Sequence, residues 1–135
     1  MKTIILDTNF LMIPGSLKVD IFSEIERIME ESYHICVLDA TIVELNKIIN
    51  EQTGKHKSAA KLALGLIMHK KLKVIRTKSL NMPENSKNTI ADDSLLTISG
   101  EDTIIATQDQ ELKKSLLERG NKIIILRGKK HLEIR

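Results

Sequence analysis

Apolar residues in this chain fall into short unbroken runs, separated by stretches in which they recur every three or four positions. Ile4-Ile5-Leu6, following Lys2 and Thr3, has the continuity of a strand buried on both faces, and residues 33–38, 72–75, 103–107 and 122–126 repeat that pattern. Between the first two runs, Val19, Phe22, Ile25, Ile28 and Met29 share one helical face, entered through a Pro14-Gly15-Ser16 turn. Ile42, Leu45, Ile48 and Ile49 mark a second helix that Gly54 closes, and residues 57–69 a third. In that third helix Ala59, Ala60, Ala63 and Gly65 are small enough for close packing on a neighbouring element or on a second subunit, which makes a homodimer the expected assembly. A polar stretch from Thr77 to Asn88 predicts a loop. A fourth helix is expected from about Ile90 to Ser99, and a fifth from Asp109 to Arg119 with Gly120 as its stop.

Strands alternating with helices predict an α/β three-layer sandwich, with a central parallel sheet of about five strands flanked by helices on both faces. Sheets of this kind present functional groups beyond the carboxyl ends of their strands. The length, 135 residues, suits a single domain spanning 1–135, with a basic tail from about residue 127. At 41% hydrophobic and 29% charged residues the composition is that of an ordinary globular protein. No apolar run nears membrane-spanning length and no signal peptide precedes Asp7, so a cytoplasmic protein without a membrane partner is expected. Cys36, the one cysteine, sits in an apolar run, which excludes disulfides and cysteine-rich zinc sites and favours a small buried side chain over a nucleophile.

The candidate chemistry lies in acids at the predicted strand ends. Asp7 follows Ile4-Ile5-Leu6 directly, where a carboxylate that has lost water must be compensated, by backbone N–H groups of the Thr8-Asn9-Phe10 turn or by a cation. Glu44 falls in a Thr41-Ile42-Val43-Glu44 segment that fits a capping box with Thr41 as N-cap. Thr89-Ile90-Ala91-Asp92 has the same form, which makes Asp92 a capping acid and leaves Asp93 as the better ligand. Asp109 has the position of an N-cap for the fifth helix. Each acid thus has a local use, yet four separate elements bring one to the same edge. Two carboxylates about 4 Å apart repel by roughly 4 kcal/mol at an effective dielectric near 20, so a cluster demands a cation. With oxygen ligands and no cysteine or histidine pairing nearby, Mg²⁺ or Mn²⁺ is favoured over zinc.

The segments Ile4-Ile5-Leu6-Asp7-Thr8-Asn9-Phe10-Leu11, Ile42-Val43-Glu44-Leu45, Ala91-Asp92-Asp93-Ser94-Leu95-Leu96 and Ile105-Ala106-Thr107-Gln108-Asp109 occur in the order found in PIN-domain nucleases, and the resemblance runs from residue 2 to about 126. The chain resembles most the archaeal branch that includes toxin-type VapC ribonucleases and small ribosomal-RNA-processing relatives. That resemblance implies that Asp7 and Asp93 hold metal, that Glu44 completes the pocket, and that Asp109 binds or orients a second ion or water. Thr8, Asn9 and Thr107 would support them from behind. It further implies in-line attack of water on an RNA phosphodiester, leaving a 5′-phosphate and a 3′-hydroxyl, with an antitoxin or a ribosome-assembly protein as partner. Around Asp92 and Asp93 the sequence departs from the commoner toxin pattern, Ser94-Leu95-Leu96-Thr97 replacing a more alanine-rich stretch, which leaves both the choice of ligand and the toxin subgroup open.

Charge is unevenly spread along the chain. Residues 1–51 carry nine acids and four bases, residues 54–83 eight bases and no acid, and residues 84–135 nine of each. The acid-free segment offers Lys55, Lys57, Lys61, Lys70, Lys71, Lys73, Arg76 and Lys78 to phosphates flanking a cut, a solvated helix face being the alternative. With two Phe, one Tyr and no Trp, base stacking is a poor route to recognition. Three other readings compete: a PIN-like module that binds RNA or an assembling ribosomal particle without cutting it, an aspartate phospho-receiver, and a dinucleotide-binding domain. A receiver wants a lysine after a late strand, whereas Lys122 precedes one, and no Gly-x-Gly-x-x-Gly follows the first strand.

Overall fold

The computed structural model describes residues 1–77, 95 and 100–135. Its elements are β1 (Lys2–Leu6), α1 (Thr8–Leu11), α2 (Ile13–Leu17), α3 (Ile21–Ile28), β2 (Tyr33–Leu38), α4 (Asp39–Glu51), α5 (Gly54–His69), β3 (Lys73–Ile75), β4 (Thr103–Ala106), α6 (Gln110–Glu118), β5 (Ile123–Arg127) and β6 (His131–Ile134). The strands form one six-stranded sheet in the order β3-β2-β1-β4-β5-β6. The first five in that order run parallel, as expected, and β6 turns back antiparallel on β5.

Alternation along the strands sorts the core into two layers. Ile4 and Leu6 of β1, Val37 of β2 and Ile104 and Ala106 of β4 join a cluster with residues of α1 to α5. Ile5, Cys36, Leu38 and Ile105 face the other way, packing with Leu112 and Leu116 of α6 and with Leu95. Three layers result, with helices on both faces of the sheet. The predicted fourth helix, the polar loop before it, and Lys78, Asp92 and Asp93 lie outside the described residues, Thr77 and Leu95 apart.

Several elements differ from expectation for local reasons. Residues 13–17 form a helix rather than a turn, because Pro14 occupies the first helical positions, where its fixed φ and missing N–H cost nothing. Gly15 in that helix lies against α5, and a Cβ there would come within 2.6 Å of the Ala59 Cα. Ala59, Ala60 and Ala63 are therefore consumed in packing within the chain, all of them buried. The expected basic tail instead contains β6, in which Leu132 is buried and paired with Leu126. Glu24 and Arg27 of α3 hold β6 in place: the Leu132 N–H donates to Glu24 Oε1 at 2.9 Å, and Arg27 Nη2 donates to the Leu132 carbonyl at 3.0 Å.

Candidate functional site

The sheet order places β1 between β2 and β4, and chain connections leave in opposite directions on its two sides. Crevices form at such switch points, outside the carboxyl ends of the strands. Asp7 ends β1 there, 4% exposed, and its backbone N–H still pairs with the Ala106 carbonyl of β4 at 2.9 Å. Its side chain caps α1. Oδ1 accepts from the Thr8 N–H at 2.8 Å, and Oδ2 accepts from the Thr107 hydroxyl at 2.7 Å.

Thr107, fully buried at the end of β4, links two acids. Its Oγ1 accepts from the Asp109 N–H at 3.1 Å while its proton goes to Asp7. Asp109 in turn caps α6, accepting from the Leu112 N–H at 2.9 Å, as an Asp in that position is expected to do. The Gln108 side chain bridges to the Asn9 carbonyl at 3.1 Å, closing the turn after β4 onto α1. Asn9 itself is exposed.

Asp7 has its pKa raised above the ordinary carboxylate range. Burial is the main cause; the hydrogen bonds from Thr107 and Thr8 oppose it, and the charges of Glu44 and Asp109 push the same way as burial. Glu44 and Asp109 therefore sit near enough to act on Asp7, so three of the four expected acids share one neighbourhood. The expected capping box does not form. Helix α4 starts at Asp39, two residues before Thr41, so Thr41 lies buried inside the first turn and Glu44 lies beyond it, on the flank rather than at the cap.

Among the described residues no group of three or more His, Cys, Asp or Glu side chains is gathered closely enough to hold a metal ion, and Asp92 and Asp93 are outside them. The donor chemistry nonetheless suits a hard cation. The acids around Asp7 supply only oxygens, and the hydroxyls of Thr8 and Thr41 are buried with no hydrogen-bond partner among the described residues.

Asp39 is a residue that the sequence reading passed over. It follows Val37-Leu38 at the end of β2 as Asp7 follows β1, and that parallel was the available signal. Its Oδ1 accepts from the Ala40 N–H at 2.7 Å, the Thr77 N–H at 3.0 Å and the Thr77 hydroxyl at 2.6 Å, fastening the exit of β3 to the start of α4.

The basic residues divide. Arg76 follows β3 at the same carboxyl edge as the acids, Lys73 opens β3 in register with Cys36 and Ile5, and Lys70 and Lys71 precede it, towards the other edge. Lys55, Lys57 and Lys61 lie along α5, with Lys55 and Lys61 exposed. Cys36 is buried, and burial pushes its thiol up, as befits a packing residue. None of the described helices is long and apolar enough to cross a membrane.

The family described as PIN like domain matches residues 4–129. Ribonuclease VapC4 of Methanocaldococcus jannaschii is 33% identical over 138 residues, covering 99% of this chain and 97% of that protein. Among solved structures, the PIN domain endonuclease Utp24 superposes with a TM-score of 0.73 at 18% identity, covering 98% of this chain and 90% of that one. A domain of a functionally unknown Methanocaldococcus jannaschii protein gives 0.62 at 18% identity, covering 95% and 93%. VapBC2 from Rickettsia felis, solved bound to a promoter DNA fragment, gives 0.54 at 15% identity, covering 83% and 92%. At these identities the solved structures speak to the fold alone.

Proposed function

This chain belongs to the PIN-domain ribonuclease family, and from that premise we propose that it is a metal-dependent endoribonuclease whose centre is built on Asp7. The observation that carries this reading is a buried carboxylate at the sheet's switch point whose neighbours Glu44 and Asp109 make its charge still harder to keep. A protein that needed Asp7 only as a helix cap would gain nothing from two more acids beside it.

Asp7, Asp93 and Asp109, with Asp92 adjacent, would hold Mg²⁺ or Mn²⁺, and Glu44 completes the pocket. When bound, the ion supplies a lowered pKa for a coordinated water and positive charge against the scissile phosphate. The chain's own part is positional. Thr8 and Thr107 fix both oxygens of Asp7 by hydrogen bonds of 2.8 and 2.7 Å, and Thr107 ties that orientation to the Asp109 backbone, so the pocket is preorganised. Water oxygen then attacks phosphorus in line, the bond to the 3′ oxygen breaks, and that oxygen takes a proton, leaving 3′-hydroxyl and 5′-phosphate ends. Lys55, Lys57, Lys61, Arg76 and Lys78 would contact the phosphates around the cut.

A role as the toxin of a toxin–antitoxin pair, with an antitoxin protein as partner, is supported by the 33% identity to Ribonuclease VapC4 over 99% of this chain. The decisive experiment is Asp7→Asn assayed for Mn²⁺-dependent cleavage of single-stranded RNA, with circular dichroism to monitor the fold. Cleavage is expected to vanish with the spectrum unchanged, and undiminished cleavage would overturn the assignment.

A further inference from the structure

Strand β3 is short. It begins at the level of Cys36, so among the described residues Tyr33–Ile35 of β2 have no strand beside them on that side. An open cleft of about 680 Å³ occupies the gap, walled by α3, by the start of β2 and by residues Lys70–Lys73. It lies towards the sheet edge opposite Asp7, since β1 runs from Lys2 beside Tyr33 up to Leu6. Five residues of strand separate the two edges, about 17 Å at roughly 3.3 Å per residue.

Three lysines within four positions, Lys70, Lys71 and Lys73, line this cleft. The Lys70 Nζ stands 5.3 Å from the centre of the Phe22 ring, a cation–π contact that holds it against α3. Lys71 adopts φ 52°, in the left-handed region that favours glycine, because the turn out of α5 needs it: its N–H donates to the Met68 carbonyl at 3.2 Å and that of Leu72 to Ile67 at 3.0 Å. A lysine at a glycine position costs the turn about 1 kcal/mol. Lys71 and Lys73 are exposed, and neither makes an ion pair among the described residues. Among the described residues Glu26 is the one acid in the cleft wall.

We propose that this cleft is a second binding site for the RNA phosphate backbone, remote from the acidic centre, which engages sequence flanking the cut and so favours long substrates over short ones. It rests on the ribonuclease reading for the nature of the ligand. Clustered lysines facing open solvent recognise a chain of phosphates by charge rather than by base identity, and the rings of Phe22, half-buried Tyr33 and His34 line the cleft beside them.

The test is the double variant Lys71→Glu and Lys73→Glu, with Lys71→Arg and Lys73→Arg as the charge-keeping control. Binding to single-stranded RNA of about thirty nucleotides is followed by fluorescence anisotropy across a salt series without divalent ions. Removing two single-strand phosphate contacts should flatten the slope of log K against log salt by about 1.4, and the arginine variant should keep it. In Mn²⁺, the ratio of kcat/KM for that RNA to kcat/KM for an oligonucleotide of about six nucleotides, too short for a second site, should fall towards one in the glutamate variant. An unaltered slope, the outcome expected if an acidic protein segment occupies the cleft instead, would overturn the proposal, as would equal losses on both RNAs. Failure of the wild type to cut either RNA would defeat the nuclease reading, while the salt slope would still report on the cleft.

Discussion

Replacing Asp7 with Asn separates two roles for this carboxylate that predict opposite signs of stability change. In the protein stripped of divalent ions, ionisation of the wild-type side chain at 4% exposure is opposed first by burial and then by Glu44 and Asp109. Desolvation is the largest of these effects, of the order of several kcal/mol for a buried ion, and the two like charges add a smaller push in the same direction. Against it stand the two hydrogen bonds. The Asn oxygen can keep the Thr8 N–H, and the Thr107 hydroxyl can turn to accept from the Asn amide, its oxygen having a second lone pair beside the one used by Asp109. The charge-assisted part is lost, about 1–1.5 kcal/mol. Burial and repulsion outweigh it, and the Asn variant should be the more stable by about 2 kcal/mol in chelator. With an unfolding entropy of about 2.1 cal/mol/K per residue, that corresponds to a Tm higher by roughly 7 °C. Because the folded state binds the Asp7 proton more tightly than the unfolded state does, the wild type gains stability as pH falls through the raised pKa, and the gap closes at acid pH. Mn²⁺ at 100 times its Kd should raise the wild type by about 2.7 kcal/mol and leave the variant little changed, reversing the order. Calorimetry with chelator and with Mn²⁺, at neutral and acid pH, decides the matter. An Asn variant that melts below wild type in chelator refutes the reasoning and makes Asp7 a helix cap.

Two further outcomes test the scaffold. Gly15→Ala must push α2 away from Ala59 backbone that a Cβ would approach to 2.6 Å, so a loss of about 1–3 kcal/mol in denaturant unfolding is expected; a neutral result would mean the two helices separate freely. The Glu24 carboxyl is held down at about 2 by hydrogen bonds from Arg27 first and then from the Leu132 N–H, so its stabilising effect is full above the ordinary carboxylate range and is lost as pH falls from about 4.5 towards 2. Glu24→Gln should therefore lower stability at pH 7 and narrow its difference from wild type at pH 2–3, and a constant difference in urea midpoints across that range would exclude the ionised clamp.

Continuous apolar runs made β1, β2, β4 and β5 legible in the sequence, and with them the carboxyl edge where Asp7 and Asp109 stand. What stayed hidden depended on contacts between distant segments. Thr41 has every local mark of an N-cap, but the helix begins at Asp39, whose carboxylate is fastened by Thr77, 38 residues later. β6 was obscured because His131-Leu132-Glu133-Ile134 is brief and follows two lysines, and it exists through pairing with β5 and the Glu24–Arg27 hold on Leu132. The eight bases between residues 54 and 83 form one block in sequence, yet the fold sends Arg76 to one edge of the sheet and Lys70 and Lys71 towards the other. Neither alternation nor charge counting carries that information.

The two outermost strands finish the sheet in different ways. β3 is only three residues long, with Lys73 and Val74 exposed, so it offers too little backbone, and too much charge, to template a further strand. At the other margin the chain doubles back on itself as β6 and is pinned to a helix, which leaves that border fixed in place. A parallel sheet left open at both margins invites strands from neighbouring copies; here each border carries its own safeguard against such runaway growth.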